Sequence, residues 1–219
     1  MLTQEQLADL PIFPLPNMVM FPGSILPLHI FEPRYRAMVA WCLEHESPMG
    51  VAMIQHGSEG AQLADPGLVP ICGAAQIQRH IELPDGRYNL VLQATDRVNL
   101  EEELPQRDGF RRFRVSALPD LPADPKILAR HLSTIKVLGD GLATTIPSLG
   151  YILNELMARG MPPGQVADQI IDYTTLEPSD KQQVLEERDG LKRLAAVEEL
   201  LAQLLATAGH DHSHGGHQH

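Results

Sequence analysis

The chain of 219 residues is poor in cysteine, aromatic residues and positive charge. Its two cysteines, Cys42 and Cys72, form neither a Cys-x-x-Cys pair nor a disulfide framework. Both stand in apolar surroundings, where a thiol is expected to act as a small buried hydrophobe. No run approaches the roughly 18 consecutive apolar residues of a membrane helix. The opening, Met1 to Asp9, carries Glu5 and Asp9 where a secretory leader would be basic. A cytoplasmic setting is therefore expected. Lysine and arginine number 17 against 28 acids, a net charge of −11, and acids are in excess on both sides of residue 119. Without a basic module, phosphate neutralisation cannot drive tight nucleic-acid binding, and an anionic membrane surface is disfavoured likewise. Neither nucleic acid nor membrane is expected as a partner.

Several kinds of catalytic machinery are missing from the sequence as well. There is no Gly-x-x-x-x-Gly-Lys-Ser/Thr loop to cradle a nucleotide and no His-Glu-x-x-His zinc motif. Ser133 and Lys136 have a Ser-x-x-Lys spacing, but they fall in an amphipathic stretch without the companion motifs of that chemistry, so helix surface is expected. Glu44-His45-Glu46 suits the end of a helix. Glu101-Glu102-Glu103 suits an exposed strand whose charges pair with Arg112 and Arg114 across a hairpin. His29, His56, His80 and His131 are scattered and expected at the surface or as satisfied core residues. No catalytic residue is assigned, and no cofactor is required.

Proline (18) and glycine (17) are plentiful and punctuate the chain. Leu10 to Cys42 opens with Pro11, Pro14, Pro16, Pro22 and Pro27, and short strands are expected at Met18–Phe21 and Ile25–Leu28. Glu32-Pro33 then suits a helix start, and Tyr35, Met38, Val39 and Cys42 fall at i, i+3, i+4 and i+7, one buried face. Val51–Ile54 is a short apolar strand. Ile77, Ile81 and Leu83 alternate with polar residues, although Arg79 interrupts the set. Pro84-Asp85-Gly86 turns the chain into Tyr88, Leu90 and Leu92, and a second turn at Asp108-Gly109 precedes Phe113, Val115 and Ala117. Short strands at this spacing predict a small, partly closed β-barrel. Beyond the proline-rich joint Leu118 to Pro125 the period becomes helical. Leu128, His131, Leu132 and Ile135 mark one helix, and Ile152, Leu153 and Leu156, after Pro147, mark another. Val166, Ile170 and Tyr173 mark a third, and Ser179 to Gln182 has capping-box spacing. Leu194, Val197, Leu201 and Leu204 form a 3-4-3 stripe that suits docking on the other helices or pairing with a copy, hence a monomer or weak homodimer.

Pro11 to Val39, above all Phe21-Pro22-Gly23 and Phe31 to Arg36, resembles the opening of the Lon substrate-binding domain, the N-terminal domain of Lon proteases. The likeness is strongest to versions found apart from the ATPase and peptidase modules. It continues through Gly73-Ala74-Ala75-Gln76-Ile77, Leu83 to Gly86 and Arg97-Val98, and into Gln182 to Leu185 and Arg193-Leu194. Ala94 departs from it, standing where the family usually has glycine. The resemblance implies an α+β fold: a PUA-like, partly closed β-barrel with one helix over residues 1–119, followed by a C-terminal α-helical bundle over 120–208. A His-rich tail, 209–219, cannot fold alone.

The same resemblance implies a non-catalytic module that engages exposed apolar segments of unfolded or client polypeptides, or regulates a protease. Met18, Met20, Phe21, Phe31, Tyr35 and Met49 supply the adaptable sulfur and aromatic surface for such peptide binding, with core packing as their competing role. The alternative is a small-ligand or metal-binding protein using a cleft between barrel and helices or the tail. There His210, His212, His214, His217 and His219 are able to chelate Zn²⁺, Ni²⁺ or Cu²⁺, at a spacing that specifies no geometry.

Overall fold

The computed structural model describes residues 1–57, 66–174 and 176–211, with side chains up to residue 207. It divides into two compact units, Met1–Pro119 with Thr175–Glu186, and Asp120–Thr174 with the chain from Glu187 onward. The first unit contains α1 (Gln4–Ala8), β1 (Leu10–Leu15), β2 (Ile25–Ile30), α2 (Pro33–Glu44), β3 (Met49–Met53), β4 (Ile71–Glu82), β5 (Tyr88–Arg107) and β6 (Phe110–Ala117). The second opens with α3 (Pro125–Leu142), α4 (Pro147–Ala158) and α5 (Pro163–Asp172). The helix α6 (Pro178–Glu186) returns to the first unit, and α7 (Gly190–Asp211) completes the second. Helices α2 to α6 each begin on a proline, whose fixed φ and missing N–H suit that position.

The six strands form one mixed sheet in the order β2-β5-β4-β3-β1-β6, and an added β5–β6 pairing partly closes it into a ring. Among the described residues only β1 and β3 pair in parallel. The length of β5 makes the closure: its first part pairs with β2, its second with β6, and β4 pairs with it from Tyr88 to Asn99. β1, β3 and the first part of β4 are buried on both faces, so their apolar residues do not simply alternate with polar ones. Leu10 and Ile12 of β1 join a cluster with Cys72, Ala74, Val98 and Val115, whereas Phe13 joins another with Val51, Ala75, Leu92 and α2. In α2 the buried residues are Tyr35, Met38, Val39 and Cys42, the face its periodicity predicts.

Local chemistry explains where the structure departs from expectation. Met18–Phe21 is not a strand. Asn17 (φ 55) and Gly23 (φ 92) bracket it with left-handed backbone, and the Gly23 N–H bonds to the Ala94 carbonyl rather than continuing a ladder. Both turns expected around glycine are present: Gly86 has φ 76, and Asp108 and Gly109 (φ 49 and 81) form the doubly positive pair of a tight hairpin. Across β5 and β6, Arg114 meets Glu102 at 2.8 Å as expected, but Arg112 turns to Asp9 at 2.6 Å. Arg111 takes Glu103 instead, because the register slips between Leu100 and Glu102.

The capping box at Ser179 does not form, since Ser179 lies inside α6. Gln182 instead donates to the Ile71 carbonyl at 2.9 Å, and Arg97 donates to the Leu185 carbonyl at 3.0 Å, fastening α6 to β4 and β5. That is why Thr175–Glu186 groups with the first unit rather than with its helical neighbours in sequence.

In the second unit α7 packs on α3 and α5, with Leu194, Val197 and Leu201 buried and Leu204 half-buried. The stripe docks on the bundle. Tyr173, expected on the inner face of its helix, is exposed instead. Arg193 is fully buried near the start of α7, with Asp120 at 2.6 Å, Asp168 at 3.0 Å and the Glu187 carbonyl at 2.7 Å. A buried guanidinium needs such partners, because an unpaired charge in the interior is costly.

Candidate functional site, an open sheet face

In the first unit, β2, the first part of β5 and the last part of β4 make a three-stranded sheet with one face inside and one open. Inward, Leu26, Leu28, Ile30, Leu90, Leu92 and Ile77 pack in the cluster that contains Tyr35, Met38, Val39 and Cys42 of α2. Outward, the register sets three rows: Ile25, Gln93 and Gln76; Pro27, Val91 and Arg79; His29, Asn89 and Ile81. Ile25 and Ile81 are each 65% exposed, and Phe31, just past β2, is 60% exposed. A shallow cavity of about 500 Å³ lies over these rows.

Hydrogen bonds hold one corner of the face. His29 Nδ1 lies 2.7 Å from Asn89 Oδ1, and Arg87 approaches His29 Nε2 at 3.3 Å. Arginine can only donate, so Nε2 accepts, and the ring proton sits on Nδ1 and goes to Asn89. The imidazole also stacks on Phe31, with centroids 6.3 Å apart. Asp85 pairs with Arg87 at 2.7 Å, and that hydrogen bond chiefly lowers its carboxyl pKa.

The two edges of this sheet are blunted. Pro27 sits in the middle of β2 and has no N–H to offer an added strand. β3 follows β4 only to Ala75, and beyond it β4 carries a register shift between Ile77 and Arg79 and the charges of Arg79 and Glu82. Prolines, bulges and charges are the usual devices against edge-to-edge pairing. The arrangement therefore offers an apolar face more than a strand edge.

Of the six residues the sequence proposes for peptide contact, Met20, Phe21, Tyr35 and Met49 are buried and Met18 is half-buried against the same core. Phe31 alone of the six is exposed. The sequence reading missed Ile25, Pro27, Val91 and Ile81. The signal was Arg79: the slip at Gln78 reverses the phase of β4, so Ile77 faces the core while Arg79 and Ile81 face out.

The candidate catalytic groups in the sequence are engaged or buried. Ser133 donates to the Ala129 carbonyl and Lys136 pairs with Asp140, so they do not meet as a dyad. Burial pushes both Cys42 and Cys72 thiols up to about 12, leaving no thiolate nucleophile near neutrality. A polar cavity of about 440 Å³ lies beside Trp41, against which His45 stacks at 4.5 Å while Arg107 stands over the ring at 4.9 Å. Among the described residues no group of three or more His, Cys, Asp and Glu could hold a metal ion, and no helix is long and apolar enough to cross a membrane. His212, His214, His217 and His219 lie outside the described residues, as does the side chain of His210.

The family model of the ATP-dependent protease La (LON) substrate-binding domain matches residues 9–203. The Lon protease of Anaeromyxobacter dehalogenans is 29% identical over 198 residues, 89% of this chain and 23% of that protein. Lon protease 2 of Myxococcus xanthus is 30% identical over 196 residues, 88% of this chain and 23% of that protein. The chain thus spans about a quarter of the length of these relatives. What is matched is the substrate-binding domain, not the ATPase or protease domains. Among solved structures, a Lon N-terminal domain protein from Xanthomonas campestris aligns with a TM-score of 0.61 at 24% identity, covering 89% of this chain and 98% of that one. The N-terminal domain of the Mycobacterium avium complex Lon protease gives 0.67 at 16%, with the same coverages.

Proposed function

This chain belongs to the Lon substrate-binding domain family, and from that premise we propose a recognition module that holds apolar segments of unfolded or client polypeptides and performs no bond chemistry itself. The observation that carries this reading is the open face of β2, β5 and β4, where Ile25, Ile81 and Phe31 stand exposed on a sheet backed by a packed core. Exposed apolar side chains grouped on one rigid surface give up water when another apolar chain covers them. The segment lies on the face rather than extending an edge, because Pro27 and the slip in β4 interrupt the backbone groups an added strand needs. Non-catalytic action is supported by the occupied Ser133 and Lys136 and by the buried thiols.

Substitution at the face tests the proposal. Phe31→Ser and Ile81→Asp alter exposed side chains, so the fold is expected to persist by circular dichroism. Together they should weaken binding of a permanently unfolded chain, such as reduced and carboxymethylated α-lactalbumin, by roughly tenfold or more, the order expected for losing two apolar contacts. Wild-type affinity in the double variant would reject this face as the site.

A further inference from the structure

Resting on that proposal, we infer that the open face selects extended apolar segments that also carry an acidic side chain. The chain as a whole has a net charge of −11 and on that ground alone would repel acidic ligands. The open rows are different. Arg79 stands in the central one beside Val91 and Pro27, is exposed, and makes no ion pair among the described residues.

The outward rows contain no carboxylate. The nearby acids are engaged: Asp85 with Arg87, Glu32 with Arg34, and Glu82 with the Tyr88 hydroxyl from the opposite phase of β4. His29 next to the central row is held by Asn89 and Arg87, and no anionic side chain in these rows neutralises Arg79.

In an extended peptide alternate side chains face the same way, so two apolar residues spaced by two can cover the Pro27–Val91 and Ile81 positions. A neighbouring carboxylate then reaches the guanidinium of Arg79. A charge-assisted hydrogen bond at the rim of a dry apolar contact adds specificity and association rate. A lysine in the same place would meet Arg79 as a like charge, which rejects basic apolar segments.

Fluorescence anisotropy on the full chain tests this, with labelled peptides that alternate valine and phenylalanine and differ only in a central Glu, Gln or Lys. The expected order is Glu, Gln, Lys, with Glu bound about tenfold more tightly than Lys at low salt and the gap closing as salt screens it. Arg79→Glu, an exposed change, should reverse the order. Equal affinities, or an order that survives Arg79→Glu, overturn the selection while leaving apolar binding standing. If none of the three peptides binds, the underlying proposal fails and the selection falls with it. A dimer that Ile81→Asp dissociates in sedimentation would place a second copy on this face and overturn the assignment to peptides.

Discussion

Cys42 and Cys72 are each 1% exposed, and burial raises both thiols to about 12 from an ordinary value of 9.0. The folded protein therefore binds these protons more tightly than the unfolded chain. That stabilisation is complete below about pH 9 and is lost as pH climbs from 9 towards 12, by about 1.4 kcal/mol per pH unit for each thiol. Urea unfolding between pH 8 and 10.5 should show a steeper fall for the wild type than for a Cys42→Ala/Cys72→Ala variant, and a disulfide-exchange reagent should label neither native thiol at pH 8. Identical pH slopes, or fast native labelling, would refute the assignment. Burial of these cysteines was legible, because apolar periodicity reports what packs. The same periodicity does not separate core from contact surface: Met20, Phe21, Tyr35 and Met49, expected as peptide contacts, repeat as apolar residues because they build the core. Phe31 stands out only because β2 ends at Ile30 and α2 begins at Pro33, leaving it between the two.

Among the elements, β4 does the most and was the hardest to read. Its first part pairs with β3 within the ring, its last part joins the open face, and the slip at Gln78 changes which side chains point out. An extra residue in a strand leaves little trace in composition, so Ile77 and Ile81 look alike in sequence although they face opposite ways. The start of β4 meets the Met18–Phe21 segment so closely that a Cβ on Gly73 would collide with the Met20 carbonyl. Backbone cannot yield as a flexible side chain can. Gly73→Ala is expected to cost roughly 1–3 kcal/mol, the range of overpacking, seen as a lower thermal midpoint. An unchanged midpoint would mean that the segment does not pack there. The helices were more legible: prolines mark the starts of α2 to α6, and the buried faces of α2 and α7 follow the 3.6 period. Long-range fastenings were not, since nothing local in Gln182 or Arg97 announces a bond to Ile71 or to Leu185.

For the molecule as a whole, the α+β fold was within reach of the sequence because turns, strand spacing and helical period agree with one another, whereas the family was within reach only through the resemblance of motifs such as Phe21-Pro22-Gly23 and Phe31 to Arg36. The proposed binding face was not, because which apolar side chains of a strand face outward is set by register. Whether the open face is the binding surface depends on where an unfolded polypeptide touches this chain. Amide chemical-shift mapping of the isotopically labelled protein, titrated with reduced and carboxymethylated α-lactalbumin, measures that directly. The perturbed amides are expected to cluster at Ile25 to Phe31, Arg79 to Ile81 and Asn89 to Gln93. Shifts confined to the helices α3, α4, α5 and α7, or no shifts at saturating polypeptide, would contradict it.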